Sequence, residues 1–381
     1  MRAIPMTPIL TAILPALLLW PPPAVALDCE KPLKIFQFPA DAIPRVDGDG
    51  SDWAMVGNDY AIGNDRLAAD DGSGRHPDPA SIEVSVKVGW VKGLNRLYFL
   101  YEATDDYWDF GEPGFRNDIF ELVVDGDRSG GPLIARFHPD IAPRPGQPVA
   151  PGKTWFSDRD AWFGFQNIHA QNYHIFTPAG GKDWAMAWGP QAAWIKRLPW
   201  SNIASRYHFK PGEAGKLSME FWITPFDYAA PDGAARSVET ELTEDKIIAM
   251  AWAVIDQDGP KSSSHFWNLS PKHTMYGQAS ELCPFRLMPL EPALRKPIQA
   301  DWSFRIVDVD RRVVAFHDES MGKMVGWKWD FGDGQSSAEQ HPIHSYAQPG
   351  KFVVTLEVTG PAGASKLSKV WDVSFTGDPP K

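Results

Sequence analysis

Apolar and polar residues alternate with a period of two in several short stretches of this chain. From Ile82 to Val88, apolar side chains take every second position, and Glu83, Ser85 and Lys87 lie between them. Comparable alternation, or a short apolar run, recurs at residues 97–101, 119–124, 217–221, 247–255 and 352–358. A period of two is typical of β-strands with one buried face, so these stretches are predicted to be strands.

The segments between the predicted strands are rich in residues that form turns. Asp125-Gly126 follows one strand and residues 256–260 follow another. Gly, Pro, Asp and Asn favour such positions because they adopt turn conformations readily. No stretch has the spacing of an amphipathic helix longer than about three turns. The pattern therefore predicts an all-β protein built from antiparallel β-sandwiches.

Residues 1–26 are predicted to be a secretory signal peptide. Arg2 is the only charge before Asp28, an apolar run follows at 9–19, and Ala24-Val25-Ala26 offers small residues for cleavage after Ala26. The apolar run is shorter than the roughly 20 residues of a membrane span. No later segment is long and apolar enough, so no membrane span is predicted. The expected location is secreted, periplasmic or extracellular.

Composition divides the remaining chain into two parts. Prolines and charged residues alternate at 288–297, which is predicted to be a stiff linker between a large domain, 27–287, and a small domain, 298–376. Within the large domain, a proline-rich and aromatic-rich insertion is expected at about 138–200. Whether this insertion is a lid, part of the core or a docking surface stays open.

The net charge argues against some classes of binding partner, and the cysteine content indicates a disulfide bond. The net charge of −11 argues against nucleic acid and anionic lipid, because neither gains electrostatic affinity for an acidic protein. Cys29 and Cys283 are the only two cysteines. In an oxidising compartment such a pair is expected to form a disulfide bond, the alternative being two buried free thiols.

The small domain carries a specific motif. Residues 327–334 read Trp-Lys-Trp-Asp-Phe-Gly-Asp-Gly, and His344-Ser345-Tyr346 and Pro349-Gly350 follow. This succession resembles the signature of the PKD (polycystic kidney disease) domain. The resemblance implies a small immunoglobulin-like β-sandwich that serves as a spacer or adhesion module.

The large domain resembles family 9 carbohydrate-binding modules and their DOMON-like relatives. Four stretches carry the resemblance in order along the chain, namely residues 46–53, 89–105, 115–125 and 266–277. The resemblance implies a large antiparallel β-sandwich of jelly-roll or DOMON-like type. In that family a sugar lies between two aromatic rings while polar side chains bind its hydroxyl groups.

Position by position, the resemblance assigns four residues to a ligand site. Phe115 and Trp267 fall where the family has its two clamping rings, and Glu121 and Arg136 fall where side chains bind hydroxyl groups. The chain departs from the family pattern in having Phe115 for tryptophan, and Ala253 where an amide is usual. The open alternatives are that Trp267 has a packing role and that Glu121 is only a solvated or paired carboxylate on a strand.

Asp125, Asp127 and Ser129 have the spacing of the first half of a calcium-binding loop. The distal glutamate of such a loop is absent, since Arg136 takes its place. The family resemblance implies a structural calcium ion, and an ordinary Asp-Gly turn is the alternative.

The sequence thus predicts an exported, non-catalytic carbohydrate-recognition protein, accessory to polysaccharide binding or catabolism, with no catalytic residues assigned. No Gly-x-Ser-x-Gly nucleophile motif and no zinc-binding spacing occurs. The alternatives are a surface or matrix module that binds an exported protein, a glycoside-hydrolysing enzyme or its subunit, and a DOMON-like haem binder.

Overall fold

The computed structural model describes residues 29, 31–110, 116–134, 167–179, 185–187, 192–259, 264–270 and 272–372. The predicted signal peptide, Phe115 and Arg136 lie outside these ranges. In the ranges given, no helix is both long and apolar enough to cross a membrane. The helical elements are short 3-10 turns, at Gly50–Met55, Asn58–Tyr60, Asn64–Arg66, Ala193–Lys196, Ala234–Arg236, His273–Tyr276, Ala279–Glu281 and Pro292–Leu294.

Strands dominate both parts of the chain, so the all-β prediction is confirmed. In chain order, the first part contains β1 (Leu33–Phe38), β2 (Ile62–Gly63), β3 (Ala68–Ala69), β4 (Ile82–Val91), β5 (Leu94–Asp105), β6 (Ile119–Asp125), β7 (Gln171–Phe176), β8 (Ala185–Ala187), β9 (Ser201–Arg206), β10 (Gly215–Ile223), β11 (Phe226–Tyr228), β12 (Val238–Glu239), β13 (Ile247–Asp256), β14 (His265–Asn268) and β15 (Cys283–Leu287).

Most of these strands form two facing sheets that share β1, while β11 and β12 form a separate two-stranded ladder. Sheet A has the order β8-β7-β6-β13-β15-β1, with β14 beside the end of β13, and sheet B has the order β1-β4-β5-β10-β9. The first half of β1 pairs with β15 and its second half pairs with β4. Both of these pairings are parallel, whereas the remaining ladders of the two sheets are antiparallel. The expected antiparallel sandwich therefore contains one strand that runs parallel to both neighbours.

Aromatic side chains join the two sheets. The ring of Phe120 on β6 lies 5.0 Å from Tyr101 and 6.1 Å from Phe221, both on sheet B, and 5.9 Å from Trp252 on β13. All four side chains are fully buried or nearly so. Burying rings of this size contributes about 1.5–3 kcal/mol each and gives the sandwich one continuous core.

Cys29 and Cys283 form a disulfide bond, the pairing that the sequence predicts. The bond joins the segment before β1 to the first residue of β15, so it ties the two strands together at the end where their parallel pairing begins. The bridged cysteines are 254 residues apart. In the chain-entropy account, closing so long a loop stabilises the folded state by up to about 5 kcal/mol.

Part of the expected insertion belongs to the sandwich itself. Strand β7 lies within residues 138–200 and pairs with β6 along its full length. Tyr173 on β7 is buried in the core between the sheets. Trp194 and Trp200 pack against each other and against Phe226, at centroid distances between 5.2 and 5.6 Å. These aromatic residues of the insertion therefore belong to the core, and not to a lid or a docking surface.

The C-terminal part is a second, smaller sandwich. Its strands are β16 (Trp302–Asp308), β17 (Val313–Asp318), β18 (Gly326–Asp330), β19 (Ser336–Ser337), β20 (Ile343–Ser345), β21 (Lys351–Gly360) and β22 (Gly363–Asp372). They form a β16-β17-β20 sheet and a β19-β18-β21-β22 sheet. Trp302, Phe316, Trp329 and Phe331 pack between them.

Residues 288–297 contact the large sandwich. The indole N–H of Trp90 donates to the carbonyl oxygen of Met288 at 3.0 Å, and Leu294 packs against the apolar cluster on the outer face of sheet B. Just beyond, Asp301 forms ion pairs with Lys92 at 2.5 Å and with Lys369 at 3.2 Å. These contacts place a charged network at the junction of the two sandwiches.

The outer face of sheet B depends on one buried carboxylate. Glu220 accepts hydrogen bonds from the indole N–H of Trp53 at 3.0 Å and from the backbone N–H groups of Asp47 and Gly48 at 3.2 and 2.9 Å. Trp53 in turn packs on Phe38 at 5.0 Å. Glu220 thus holds residues 46–56 against the sheet.

We expect Glu220→Ala to lower the free energy of unfolding by about 2–4 kcal/mol, because three donors lose their acceptor and each unsatisfied buried donor costs about 1–3 kcal/mol. Urea unfolding measures the change. The matched control is Glu83→Ala at an exposed position of β4, which should shift stability by no more than about 0.5 kcal/mol. Equal effects of the two substitutions would contradict this role.

Candidate functional site

Glu121 lies on the face of sheet A that points away from the core. Alternation along β6 directs Phe120 and Leu122 into the core and Glu121 to the opposite side. Its direct neighbours across the sheet are His174 on β7 and Ala253 on β13. Only 5% of Glu121 is exposed, which is unusual for a carboxylate and requires polar partners.

Two side chains of β7 supply such partners. The Nε2 atom of His174 and the Nδ2 atom of Asn172 both lie 2.8 Å from Oε1 of Glu121. Asn172 also donates from Nδ2 to the carbonyl oxygen of Tyr276 at 3.1 Å, and its backbone N–H donates to Oδ1 of Asn167. We call Glu121, Asn172 and His174 the Glu121 network. It is a carboxylate fixed in orientation by an amide and an imidazole group.

Small side chains lie beside the Glu121 network. Ala251 and Ala253 of β13 face the same side of the sheet, together with Asn268 of β14. Met275 and the half-buried Tyr276 pack against these alanines. Residues 126–170 separate β6 from β7 in the chain.

Trp267 lies on the opposite face of the sheet from Glu121. It pairs with Val254, whose side chain points into the core, whereas Glu121 pairs with Ala253. Trp267 is only 7% exposed and its indole N–H donates to Asp256 at 3.3 Å. The structure therefore separates two residues that the family resemblance groups in one site, because neighbouring positions of a strand face opposite sides.

Three of the assigned residues remain, namely Phe115, Arg136 and Glu121. Phe115 and Arg136 lie outside the described residues, and the role of Glu121 stays a prediction. The sequence reasoning missed Asn172 and His174 as partners of Glu121. Their alternation on β7 places both on one face, but the pairing of β7 with β6 spans a long connection and has no local signal.

Asp125 and Asp127 form a hydrogen-bonded turn. Asp125 accepts backbone N–H groups of Ser129 at 3.2 Å and Gly130 at 2.8 Å, and Asp127 accepts that of Ser129 at 3.0 Å. The carboxylate oxygens that would face a calcium ion therefore cap backbone groups of the turn. Calcium binding at Asp125, Asp127 and Ser129 stays a prediction from the spacing.

A different set of carboxylates meets at one end of the sandwich. Asp105 ends β5, Asp118 precedes β6, and Asp256 ends β13, and each continues the core-facing row of its strand. One oxygen of each lies within 4.8 Å of the others, and all three residues are buried. Asp106 and Asp258 lie at the exposed rim of this group. We call the three buried residues the aspartate cluster.

Burial and mutual repulsion oppose ionisation of the aspartate cluster. Burial raises the pKa of Asp105 to about 7 and that of Asp256 to about 6, and the charges of Asp256 and Asp258, respectively, add to the increase. Burial, together with the neighbouring charge of Asp105, raises the pKa of Asp118 to about 9. Three carboxylates this close cannot all be ionised near neutral pH without a compensating positive charge.

Comparison with known proteins identifies the C-terminal sandwich. Residues 300–374 match the family model of the PKD domain, which confirms the prediction from the Trp327–Gly334 motif. Collagenase ColQ1 of Bacillus cereus is 40% identical over 63 residues, which are 16% of this chain and 6% of that protein. The chain thus spans a small fraction of the curated relative that it matches. The PKD1 domain of Vibrio anguillarum Epp is 28% identical, with 20% of this chain and 90% of that domain covered and a TM-score of 0.18.

A solved structure also aligns with the large sandwich. It is a family 9 carbohydrate-binding module from Caldicellulosiruptor kristjanssonii in complex with glucose. The alignment covers 69% of this chain and 98% of that module, with 9% sequence identity and a TM-score of 0.41.

We expect Trp267→Ala to lower the free energy of unfolding by about 3–5 kcal/mol, because the indole is buried in the core and its removal leaves a cavity. Chemical denaturation measures the loss. Trp267→Phe keeps most of the buried area and should cost clearly less. A loss below about 1 kcal/mol for Trp267→Ala would contradict a packing role.

Proposed function

We propose that this chain is an exported, non-catalytic carbohydrate-recognition protein whose ligand contacts the Glu121 network, with the PKD domain as a spacer or adhesion module. The observation that carries the proposal is the buried, oriented carboxylate of Glu121. It occupies the strand position where the resemblance to family 9 carbohydrate-binding modules places an acid that binds hydroxyl groups.

The chemistry of the Glu121 network suits a neutral polyol. A carboxylate accepts hydrogen bonds from two hydroxyl groups, and charge-assisted bonds of this kind are the stronger ones in proteins. His174 and Asn172 fix the direction of the carboxylate, so less ordering is needed when a ligand binds. The net charge of −11 is compatible with an uncharged ligand and disfavours an anionic one.

Aromatic residues close to β6 and β7 in sequence support the same ligand class. The connection between these strands contains Trp155, Phe156, Trp162, Phe163 and Phe165. The apolar C–H face of a sugar ring stacks on aromatic rings, while its edge needs hydrogen bonds. A carboxylate and aromatic rings are the two components that such a site requires.

Export is supported by the predicted signal peptide at 1–26 and by the Cys29–Cys283 disulfide bond. Disulfide bonds persist in oxidising compartments and are rare in reducing ones. The PKD domain adds support, since matching segments occur in a collagenase and in metalloproteases.

We expect Glu121→Gln to weaken glycan binding about 10- to 100-fold, because a neutral amide forms weaker hydrogen bonds to hydroxyl groups than a carboxylate does. A glycan array identifies the ligand, and calorimetry compares the variants. Glu102→Gln is the matched control and should bind like the wild type, because Glu102 lies on β5 of sheet B and its carboxylate pairs with Lys216 of β10.

An array without any bound glycan, or equal affinity of Glu121→Gln and the wild type, would contradict the proposal. Release of reducing sugar from the glycan panel would contradict its non-catalytic part. Thermal unfolding of both variants shows whether a loss of binding reflects the site or the fold.

A protein partner is the second candidate. Strand β16 pairs with β17 on one side, and within the described residues it has no strand partner on the other. Ile306 and Val307 on this edge strand are 43% and 49% exposed. Edge strands with apolar side chains can pair with a strand of another protein. Capture of an exported protein that persists in excess sugar, and is lost on Ile306→Lys, would favour this candidate.

A further inference from the structure

The segment between the two sandwiches is bound to the large sandwich over most of its length. In addition to the contacts described above, the hydroxyl group of Tyr60 donates to Glu291 at 2.9 Å. Near the end of the segment, Lys296 forms an ion pair with Asp41. Because these contacts are spread along residues 288–297, the small sandwich begins at a fixed point on the large one.

The small sandwich also contacts the turn between β4 and β5. One oxygen of Asp301 accepts from Nζ of Lys92 in this turn at 2.5 Å, and the other accepts from Nζ of Lys369 at 3.2 Å. Glu244 of the large sandwich lies 3.9 Å from the same Nζ atom of Lys92. A single carboxylate therefore joins one ammonium group from each sandwich.

The ionic contact at Asp301 is partly shielded from water. The side chains of Asp301 and Lys369 are 17% and 21% exposed, and that of Lys92 is 38% exposed. Burial opposes ionisation of Asp301, but the hydrogen bonds and charges of Lys92 and Lys369 outweigh burial and lower the pKa of this carboxyl group. Ion pairs that are partly buried are screened less by salt than fully exposed pairs.

Gly93, next to Lys92, lets the two sandwiches approach closely. Its φ of +84° lies in the left-handed region, which glycine adopts without steric cost. A Cβ atom at this position would lie 2.8 Å from Cγ of Lys369, which is closer than the usual contact distance of about 3.5–4.0 Å. The aliphatic part of Lys369 thus packs on the turn while its ammonium group pairs with Asp301.

Two further contact areas lie away from this turn. Nζ of Lys351 on the small sandwich is 5.2 Å from the ring centroid of Trp200, which directly precedes β9, and this is within the range of a cation–π contact. A cavity of about 40 Å³ lies between the sandwiches and is lined by Gln37, Asp301 and Leu367, among others. Gln37 and Leu367 are only 3% and 5% exposed. Contacts in three places restrict rotation of one sandwich against the other.

We propose that the PKD domain docks on the β4–β5 turn of the large sandwich, so that the two sandwiches form one rigid body with Asp301 as the central ionic contact. Neighbouring domains are expected to move relative to each other unless their interface restrains them. Here both the connecting segment and three contact areas supply that restraint. The PKD domain is then a rigid extension of the large sandwich and not a flexible tether, whichever ligand the large sandwich binds.

The test measures the distance between the two sandwiches in the full chain. Spin labels are attached through Glu83→Cys on β4 and Glu339→Cys on the small sandwich, both exposed positions. The native cysteines are joined in a disulfide bond and stay unlabelled. We expect double electron–electron resonance to give a single narrow distance distribution.

Lys92→Glu is the sharpest variant. It places a third carboxylate beside Asp301 and Glu244, so repulsion replaces the ion pair while the sequence of the small sandwich stays unchanged. We expect the distance distribution to become at least twofold wider. Lys92→Gln removes the charge without adding repulsion, so it should widen the distribution less, and it replaces Lys92→Glu if that variant does not fold.

Lys31→Glu is the matched control. It makes the same change of charge at an exposed position before β1, at the opposite end of this strand from Phe38, which lines the cavity at the junction. Its distance distribution should be as narrow as that of the wild type. A broad distribution in the wild type would overturn the proposal. So would a distribution in the folded Lys92 variants that is as narrow as that of Lys31→Glu. Neither outcome depends on glycan binding.

Discussion

Phe120 of β6 packs against Tyr101 and Phe221 of the facing sheet and against Trp252 of its own sheet, and this burial fixes the register of the whole strand. Successive residues of a strand face opposite sides, so a shift by one residue would exchange the two faces. With Phe120 inside, Asp118 must continue the core-facing row and Glu121 must face away from the core. The positions of the Glu121 network and of the aspartate cluster thus depend on the same packing.

The Glu121 network and the aspartate cluster differ in the hydrogen bonds that their buried carboxylates receive. In the Glu121 network, amide and imidazole groups surround the carboxylate, and their hydrogen bonds offset the loss of hydration. In the aspartate cluster, three carboxylates converge and two of their oxygens have no donor. The first arrangement holds the carboxylate in a fixed direction, so it can offer an acceptor to a neutral ligand.

The two sandwiches are joined by specific contacts. Asp301 at the start of the small sandwich lies between Lys92 of the large one and Lys369 of its own sheet. Met288 accepts the indole N–H of Trp90 and so holds the intervening segment against sheet B. A PKD domain attached in this way would present the large sandwich in a preferred orientation, and partly exposed ion pairs of this kind weaken as salt concentration rises.

The sequence by itself determined the local features of this protein. Alternation at 82–88 and 217–221 predicted strands with the correct buried faces, because that pattern reflects the period of the strand itself. The PKD motif at 327–334 and the single cysteine pair likewise predicted the small sandwich and the disulfide bond. Only the tertiary structure decided that β7 belongs to sheet A, that Trp267 lies on the core side away from Glu121, and that Asp105, Asp118 and Asp256 meet. These facts depend on pairings between residues far apart in the chain, and side-chain periodicity carries no information about which strands become neighbours.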